Sequence, residues 1–418
     1  YYSPKQLETI SRLLEQPGGL TIAALPTGYG KTRIAQYATY LIRKTKNHPE
    51  WSNKSGDTGP TLIISPLVAL MDDQRTKWNE DFGQVLTNAG LDPLVCTFLT
   101  SADLERDPSK MEKLRNDEID VFCCSPEDLI DPKLRRNHWL ETFARMKVPF
   151  SMMVVDEAHI IGSWGSTIRP QFQLLNLVKN RLLQRNPMLR VLLMSATISL
   201  EEEVELIRLF SENLRHKPMI DGRSSAIRTE QSATRPELYF DIRYDYGLKF
   251  DESISKEERE NLTKLKNIER ANILIDKLSD VSNSLDGRWN LKVDGTKFRQ
   301  DGRPSPILIY TPYPDIAEKF LKPIAVDKIG YGQNKSVTTY TGKTGPTLRL
   351  SRLKKFVEND ISAMIATSAF GMGVDKPDLW AVGYYGMPFS LSDLYQGFGR
   401  AARGSDWDKR YNEKSGYC

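Results

Sequence analysis

The sequence has few of the features that crosslink small secreted proteins or anchor a chain in a membrane. It contains four cysteines in 418 residues, and none of them forms a C-x-x-C pair, so neither a disulfide framework nor a zinc ribbon is expected. Cys123 and Cys124 lie in an apolar run, which predicts buried, reduced thiols. No apolar run approaches the roughly 20 residues of a membrane-spanning helix, and no signal-peptide pattern opens the chain. Membrane-embedded and disulfide-stabilised classes are therefore not expected.

A strong charge of either sign is also missing. Lysine and arginine number 58 against 54 aspartate and glutamate, which gives a net charge of +4. This mild excess permits an anionic partner without requiring one. The length predicts about two domains, and the hydrophobic fraction of 39% is typical of a globular protein. Because the sequence starts at Tyr1 and stops at Cys418, we expect a piece of a longer protein.

A glycine-rich turn, residues 25–32 (LPTGYGKT), joins a short apolar run to a helical pattern. Gly28 and Gly30 would let backbone N–H groups face a phosphate at the start of a helix. Lys31 would reach the β- and γ-phosphates, and the Thr32 hydroxyl would hold Mg²⁺. The strict phosphate-loop pattern has a glycine where Leu25 stands, so the motif taken alone is imperfect. Its strand–turn–helix context nevertheless favours a phosphate site over a surface turn.

Four further apolar runs predict parallel strands buried on both faces. They are Thr61–Ile64, Val121–Cys124, Met152–Val155 and Arg190–Met194. Each is followed by small or charged residues, at the strand ends where open α/β sheets bind ligands. We therefore expect one crevice to hold Lys31, Asp156, Glu157 and Thr197.

The Asp156–Glu157 pair adds chemistry to that crevice. Two carboxylates at the end of a buried strand suit a magnesium-bound nucleotide. Asp156 would hold the metal, and Glu157 would activate the attacking water. An isolated Asp-Glu pair is more often solvated, but four apolar residues precede this one. The pair therefore predicts nucleotide hydrolysis.

The second half of the chain repeats the α/β pattern, with strands near 307–310, 337–340, 361–366 and 380–384. We predict a first domain over 1–222, a linker over 223–236 and a second domain over 237–418. A charged insertion is expected at about 244–306, in which Ser255 and Glu258 form a capping box for a helix reaching about Leu278. Arg400 and Arg403 would share one helix face and reach a γ-phosphate across a domain cleft. The alternative for these two residues is a pair of solvated surface arginines.

These blocks, in this order, resemble the RecQ-like helicases of superfamily 2. The LPTGYGKT turn resembles that family's MPTGGGKS, and residues 65–74 (SPLVALMDDQ) resemble its SPLISLMQDQ. Residues 156–159 match its DEAH box, residues 366–377 (ATSAFGMGVDKP) are close to ATxAFGMGIDKP, and residues 396–403 (QGFGRAAR) resemble QxxGRAGR. The resemblance implies two tandem RecA-like domains, each a mostly parallel sheet flanked by helices, which bind ATP and Mg²⁺.

The same resemblance assigns further residues. Gln6, which the residues alone leave open as a solvated helix position, becomes an adenine reader, and Thr27, Asp375 and Gln396 join the nucleotide site. Links between the nucleotide and the nucleic acid would be His159, Ser195 and Thr197. Contacts to the nucleic-acid backbone would come from Ser65, Pro66, Ser125, Thr341 and Thr367. Residues 162–170 resemble the RecQ aromatic-rich loop, in which Trp164 would stack on a base and Arg169 would contact the strand, a core tryptophan and a structural ion pair being the alternative.

We therefore expect an ATP-dependent DNA helicase or translocase that moves 3′ to 5′ on single-stranded DNA and separates strands, the polarity following from the resemblance alone. Three alternatives stay open: a duplex-DNA translocase or remodeller, an ATP-switched nucleic-acid-binding subunit of a larger complex, and an RNA helicase. The expected partner is single-stranded or forked DNA, with other proteins of a DNA-processing or defence complex possible and no membrane partner. The expected location is cytoplasmic or nuclear, or on the nucleoid in a bacterium.

Overall fold

The computed structural model describes most of the chain in two compact units, residues Tyr1–Ala233 and Thr234–Cys418. The described residues are 3–26, 29–44, 58–65, 74–99, 107, 109–129, 138–163, 174–196, 198–215, 226–228, 238–243, 253–286, 292–293, 296–297, 306–329, 336–367, 370, 376, 379, 381–388, 391–401 and 416–417.

The first unit alternates strands and helices along the chain. Its strands are β1 (Leu20–Ala24), β2 (Thr61–Ile64), β3 (Cys96–Phe98), β4 (Val121–Cys124), β5 (Met152–Val155), β6 (Arg190–Ser195) and β7 (Ala226–Arg228). Its helices are α1 (Pro4–Glu15), α2 (Lys31–Lys44), α3 (Gly83–Asn88), α4 (Ser109–Arg115), α5 (Pro126–Leu129), α6 (His138–Ala144), α7 (His159–Ser163), α8 (Leu175–Arg185) and α9 (Leu200–Phe210), with a π-helical stretch at Lys77–Phe82.

All pairings within this first sheet are parallel, in the order β3-β4-β2-β5-β6-β1-β7. The side chains of β1, β2, β4, β5 and β6 are buried throughout, which is why these strands read as continuous apolar runs. The sheet order places β1 next to β6 and β6 next to β5. The turn after β1 therefore lies at the same edge of the sheet as the ends of β6 and β5. This adjacency assembles the candidate site described below.

The strands predicted from apolar runs are confirmed, whereas β3 and β7 were not predicted. Each of these two edge strands has only three residues, too few to show a pattern. The strand β7 pairs with β1 and falls inside the segment 223–236 that the sequence indicated as a linker.

The cysteines of β4 are fully buried, as predicted. Burial raises the pKa of the Cys123 thiol, and it raises the pKa of Cys96, on the neighbouring strand, to about 12. Thiols of this kind stay protonated and unreactive. These two cysteines therefore belong to the packing of the sheet.

The second unit has the same plan. Its strands are β8 (Leu238–Tyr239), β9 (Lys292–Val293), β10 (Thr296–Lys297), β11 (Ile307–Tyr310), β12 (Val337–Tyr340), β13 (Ala363–Ala366), β14 (Ala381–Tyr384) and β15 (Gly416–Tyr417). Its helices are α10 (Lys256–Asp286), α11 (Pro314–Ile316), α12 (Lys322–Lys328), α13 (Pro346–Val357) and α14 (Leu391–Phe398), with a π-helical stretch at Ala317–Leu321. The parallel sheet has the order β12-β13-β11-β14-β15-β8, and β9 and β10 form a separate antiparallel pair.

The side chains of the second sheet alternate between two cores. On one face Leu308, Met364 and Val382 pack with Phe356 and Phe370. On the other face, Ile307, Ile309 and their neighbours pack against apolar residues of α10 and α12, namely Ala271, Ile275, Leu278 and Ala325. Both faces of the sheet are therefore covered, as the apolar strand pattern predicts.

The long helix α10 is an integral part of the second unit. It begins at the predicted capping box, in which the Glu258 backbone N–H donates to Ser255 Oγ at 3.2 Å and the Ser255 N–H donates to Glu258 Oε2 at 3.0 Å. It runs past the predicted end near Leu278 to Asp286. Its second half lies on the sheet, whereas Leu265 in its first half is 63% exposed. Within the described ranges, no helix is long and apolar enough to cross a membrane.

Candidate active site

The turn between β1 and α2 requires glycine at position 30. Gly30 has φ +77°, and a Cβ there would lie 2.6 Å from Gln6 Nε2. The N–H of Leu25, at the start of the turn, donates to the Ser195 carbonyl at 3.1 Å, which fixes the turn against the end of β6. The glycine prediction is therefore met on conformational and steric grounds at this position. Thr27 and Gly28 lie outside the described residues.

Lys31 is the first residue of α2, and its ammonium group points back over the turn. Its Nζ donates to the carbonyls of Leu25 at 2.9 Å and Pro26 at 3.2 Å. These are neutral acceptors, and a phosphate oxygen makes a stronger, charge-assisted bond. The lysine is thus placed where an incoming phosphate can exchange with the two carbonyls. Thr32 follows it in the first turn of the same helix.

Gln6 connects the first helix to this turn. Its side chain is 7% exposed; its Nε2 donates to the Tyr29 carbonyl at 2.8 Å, and its Oε1 accepts from the Ser3 N–H at 2.9 Å. The second bond completes the capping box of α1. Gln6 is therefore buried and links the start of α1 to the turn between β1 and α2. This disfavours the alternative that Gln6 is a solvated helix residue. Its contact with adenine stays a prediction.

The end of β5 carries the two adjacent carboxylates. The Asp156 N–H donates to the Ile64 carbonyl at 3.0 Å, and Asp156 Oδ1 accepts from the Glu157 N–H at 3.0 Å. Burial and the neighbouring Glu157 charge raise the pKa of Asp156 to about 6, against the opposing effect of the Lys31 ammonium. Two crowded carboxylates with one raised pKa are an environment that a divalent cation would relieve.

Glu157 adopts a backbone conformation that is rare for its residue type, with φ +49°. Its Oε2 is buried and has no hydrogen-bond partner among the described residues. Strained backbone and an unsatisfied acceptor both cost stability and are typical of functional positions. A carboxylate oxygen in this state is suited to accept a proton from water.

His159 and Ser195, two of the three residues that the resemblance assigns to coupling, lie in one cluster with Glu157. His159 Nδ1 lies 2.9 Å from Ser195 Oγ and 3.4 Å from Glu157 Oε2. His159 is 6% exposed and Ser195 is 0% exposed. The cluster joins the DEAH segment after β5 to the end of β6. Its role in coupling stays a prediction.

Two residues near Asp156 were not singled out from the sequence. Gln74 Nε2 donates to Asp156 Oδ2 at 3.4 Å, and the nearby positive charge of Lys77 lowers the pKa of Asp156. Lys77 opens the π-helical stretch, a local geometry that is frequent at functional sites. Only the fold brings them here, since 82 residues separate Gln74 from Asp156.

The predicted backbone-contacting hydroxyls stand at the ends of neighbouring strands but are buried. Ser65 and Ser125 follow β2 and β4, with exposures of 0% and 2%. Thr341 and Thr367 follow β12 and β13, with exposures of 2% and 6%. In this conformation their side chains offer little surface to a strand, and their contact with nucleic acid stays a prediction.

In the second unit, Gln396 lies on α14 and Arg400 lies just after it. Gln396 is 8% exposed, and Arg400 is 4% exposed with its guanidinium 5.8 Å from the centre of the Phe370 ring. Arg400 is therefore held within its own unit and is not a solvated surface residue. Other predicted site residues lie outside the described part of the chain: Pro66, Trp164, Arg169, Thr197, Asp375 and Arg403.

Two family models match the chain. The DEAD/DEAH box helicase model matches residues 3–206, and the helicase conserved C-terminal domain model matches residues 295–405. The first contains the phosphate turn and the Asp156–Glu157 pair, and the second contains Gln396 and Arg400. Together they account for more than half of the chain.

Curated relatives agree with these models. The chain is 25% identical over 405 residues to the ATP-dependent helicase wrn-1 of Caenorhabditis elegans, covering 96% of the chain and 30% of that protein. It is 25% identical over 390 residues to the probable ATP-dependent DNA helicase RecS of Bacillus subtilis, covering 92% of the chain and 58% of that protein. The Bacillus subtilis ATP-dependent DNA helicase RecQ is 23% identical, with 94% and 50% covered. The chain thus spans between about a third and three-fifths of these relatives.

Solved structures show the fold. The Mycobacterium smegmatis helicase Lhr, bound to single-stranded DNA and AMP-PNP, aligns with a TM-score of 0.64 at 17% identity, over 100% of this chain and 45% of that one. The DEAD-box helicase Mss116, bound to single-stranded RNA and UDP-BeF, aligns with a TM-score of 0.62 at 18% identity, over 99% and 69%. Parallel sheets flanked by helices in each unit confirm the two tandem RecA-like domains. With both helicase models matched, the chain belongs to the DEAD/DEAH box helicases, and the curated proteins to which it is similar include RecQ-family DNA helicases.

Proposed function

We propose that the protein is an ATP-dependent DNA helicase or translocase that moves 3′ to 5′ on single-stranded DNA. The observation that supports hydrolysis most directly is the buried, unsatisfied Glu157 Oε2 beside Asp156, at the end of β5. Only β6 separates β5 from β1, the strand that precedes the Lys31 turn. A site that only bound nucleotide would gain nothing from a strained base held ready for water. The DNA substrate and a DNA-containing compartment are inferred from the relatives that are named DNA helicases, and the polarity is inferred from the resemblance of the motifs to RecQ-like helicases alone.

The first unit would bind the nucleotide through groups already in position. Lys31 would exchange the Leu25 and Pro26 carbonyls for phosphate oxygens. Thr32 and Asp156 fit a magnesium ion, since one supplies a hydroxyl and the other a carboxylate whose pKa is raised by burial and by Glu157. When bound, that ion would neutralise phosphate charge.

Glu157 would act as the base. Its Oε2 would accept the proton of a water molecule, while His159, at 3.4 Å, restrains the carboxylate. The bond between His159 and Ser195 would pass any displacement of the carboxylate to the end of β6. This gives a physical route by which nucleic-acid contacts change hydrolysis.

Arginine side chains of the second unit would supply positive charge for hydrolysis. Gln396, Arg400 and Arg403 stand in the QGFGRAAR segment, and positive charge on a transferring phosphoryl group is worth several kcal/mol in related enzymes. The burial of Arg400 against Phe370 makes it the better anchored of the two arginines to test first.

The decisive experiment measures ATP hydrolysis without nucleic acid, with single-stranded DNA, with duplex DNA and with single-stranded RNA. Glu157→Gln is the blank, and Glu201→Gln, an exposed glutamate in the first turn of α9, is the matched control. Stimulation by single-stranded DNA that only the blank abolishes supports the proposal. Stimulation by duplex alone favours a remodeller, stimulation by RNA alone favours an RNA helicase, and no turnover above the blank leaves an ATP-switched binding subunit.

Unwinding and direction need a second measurement. Duplexes with a 3′ or a 5′ single-stranded tail are offered to the protein with ATP, and release of the labelled strand is followed. We expect release from the 3′-tailed duplex alone. Hydrolysis without release from either substrate would favour translocation without strand separation.

A further inference from the structure

Three consecutive residues at the end of β14 connect it to two different helices. Gly383 faces α10, where a Cβ would lie 2.6 Å from Leu278 Cδ1. Tyr385 faces the same helix and donates its hydroxyl to Asn267 Oδ1 at 2.9 Å. Because side chains alternate along a strand, Tyr384 points to the opposite side.

On that side Tyr384 lies across α14. Its hydroxyl donates to the Asp393 carbonyl at 2.8 Å. A Cβ at Gly397 would lie 2.7 Å from the Tyr384 Cζ and closer still to the hydroxyl oxygen. Only glycine at position 397, one turn after Asp393, leaves room for the Tyr384 ring. The ring therefore packs directly against the backbone of α14.

The tyrosine ring is itself fixed from two directions. It stacks on Tyr310 of β11, with ring centres 5.0 Å apart and an interplanar angle of 24°, and it meets Phe398 edge to face at 5.3 Å. Tyr310 also packs at 6.5 Å against Phe370, the ring beneath the Arg400 guanidinium. The hydrogen bond of the Tyr384 hydroxyl therefore links α14 to the sheet.

We propose that Tyr384 is a positioning residue for ATP hydrolysis: it fixes α14, and thereby Gln396 and Arg400, in the placement that hydrolysis requires. The inference rests on the proposed function and goes beyond it, since Tyr384 touches neither nucleotide nor nucleic acid in this role. A displacement of about 1 Å in such a group can cost up to about a hundredfold in rate.

The first test compares two adjacent tyrosines that lose the same atom. Tyr384→Phe removes the hydroxyl bonded to α14, and Tyr385→Phe removes the hydroxyl bonded to α10. We expect about a tenfold lower kcat for Tyr384→Phe, with an unchanged KM for ATP and an unchanged Tm, and wild-type values for Tyr385→Phe. Equal kcat values for the two variants would overturn the inference.

The second test uses the tight fit at Gly397. Gly397→Ala should lower kcat because the new methyl group overlaps Tyr384, and Tyr384→Ala should lower it because α14 loses its support. The double variant should be no worse than Tyr384→Ala, since its methyl group meets no ring; additive losses would overturn the inference. Failure of the proposed function is seen separately, because the wild type would then turn over ATP no faster than Glu157→Gln.

Discussion

At the scale of single residues, the site is governed by two carboxylates that stand side by side. Asp156 is held by the bond from its N–H to the Ile64 carbonyl and by the bond that its carboxylate accepts from the Glu157 N–H, whereas Glu157 is held in a strained conformation with one oxygen unsatisfied. The environment thus divides the pair: one carboxylate has a raised pKa and suits a cation, and the other is free of hydrogen bonds at Oε2 among the described residues and suits proton transfer.

This division predicts a pH dependence for nucleotide binding. A raised pKa means that Asp156 holds its proton more tightly than a solvated aspartate, and it is half protonated near pH 6. We expect affinity for ADP in the presence of Mg²⁺ to fall as the pH is lowered through about 6, and affinity without Mg²⁺ to change little. Isothermal titration calorimetry from about pH 8 to about pH 5 measures both.

Glu157→Gln provides the control for this prediction. Because the Glu157 charge raises the pKa of Asp156, its removal should move the midpoint to lower pH. Asp156→Asn should abolish the magnesium-dependent part of the ADP affinity at every pH. A midpoint that stays in place in both variants would contradict the assignment of Asp156.

Gln6 supports a second prediction, because its two polar atoms have separate partners. Gln6→Ala removes the bond from the Ser3 N–H to Oε1, which is one half of the capping box of α1, and the bond to the Tyr29 carbonyl, so Tm and ATP affinity should both fall, each bond being worth about 0.5–1.5 kcal/mol. Gln6→Glu keeps an acceptor for the Ser3 N–H but loses the donor to Tyr29. We expect the Glu variant to keep most of the Tm and to lose ATP affinity, and equal affinity in all three proteins would contradict a role in the turn.

At the scale of elements, α10 shows how composition can mislead. Its sequence is charged and its first half is exposed, so the region reads as an insertion. Yet Ala271, Ile275 and Leu278 are buried against the sheet, and Gly383 is small because Leu278 lies over it. These three residues recur at i, i+4 and i+7, which is the helical period, but they lie only in the second half of the helix, so the charged composition of the whole segment obscures them.

The two halves of α10 therefore differ in what a substitution costs. Leu278→Ala should destabilise the protein by about 2–5 kcal/mol, because Leu278 is 2% exposed and its removal leaves a cavity. Leu265→Ala, at 63% exposure in the first half, should change stability by less than about 0.5 kcal/mol. Urea unfolding measures both, and similar losses would show that the first half is also packed.

Short edge strands were the other element that the sequence did not reveal. The continuous apolar runs predicted the central strands of the first sheet and β11 to β14 of the second, but not the two-residue β15, which lies between β14 and β8. They could not predict β3 or β7, since three residues at a sheet edge need no distinctive pattern. Edge strands are specified by their neighbours more than by their own residues.

At the scale of the whole molecule, two units of the same plan each place their predicted functional residues after the carboxyl ends of parallel strands. This rule was enough to place Lys31, Asp156, Glu157 and Thr197 in one expected crevice, whereas His159 and Ser195 were assigned by the family resemblance. It could not predict the contact of Gln74 with Asp156, or the fit between Tyr384 and Gly397, because a motif does not show which side chain of another segment it will contact. Packing partners of this kind are visible only in three dimensions.

The modest net charge of +4 predicts how salt affects nucleic-acid binding. If backbone amides and hydroxyls make most of the contacts, few counterions are released on binding. The logarithm of the affinity for single-stranded DNA should then fall with the logarithm of salt with a slope shallower than about −3, which corresponds to about four ionic contacts. Fluorescence anisotropy across a sodium chloride series measures the slope. A much steeper slope would indicate that lysine and arginine side chains, and not backbone amides and hydroxyls, make most of the contacts.

The exposed first half of α10 converts a small rotation of the helix into a measurable displacement of its free end. Its exposed first half extends about 15 Å from residue 266 to residue 256, with the packed second half as the pivot. A tilt of about 10° at residue 266 would move the free end by about 2.6 Å, which is comparable to the roughly 3.4 Å rise per nucleotide of a DNA strand. A fluorophore at Lys256 would therefore report, by optical means, distortions of the second unit that are too small to detect at the sheet itself.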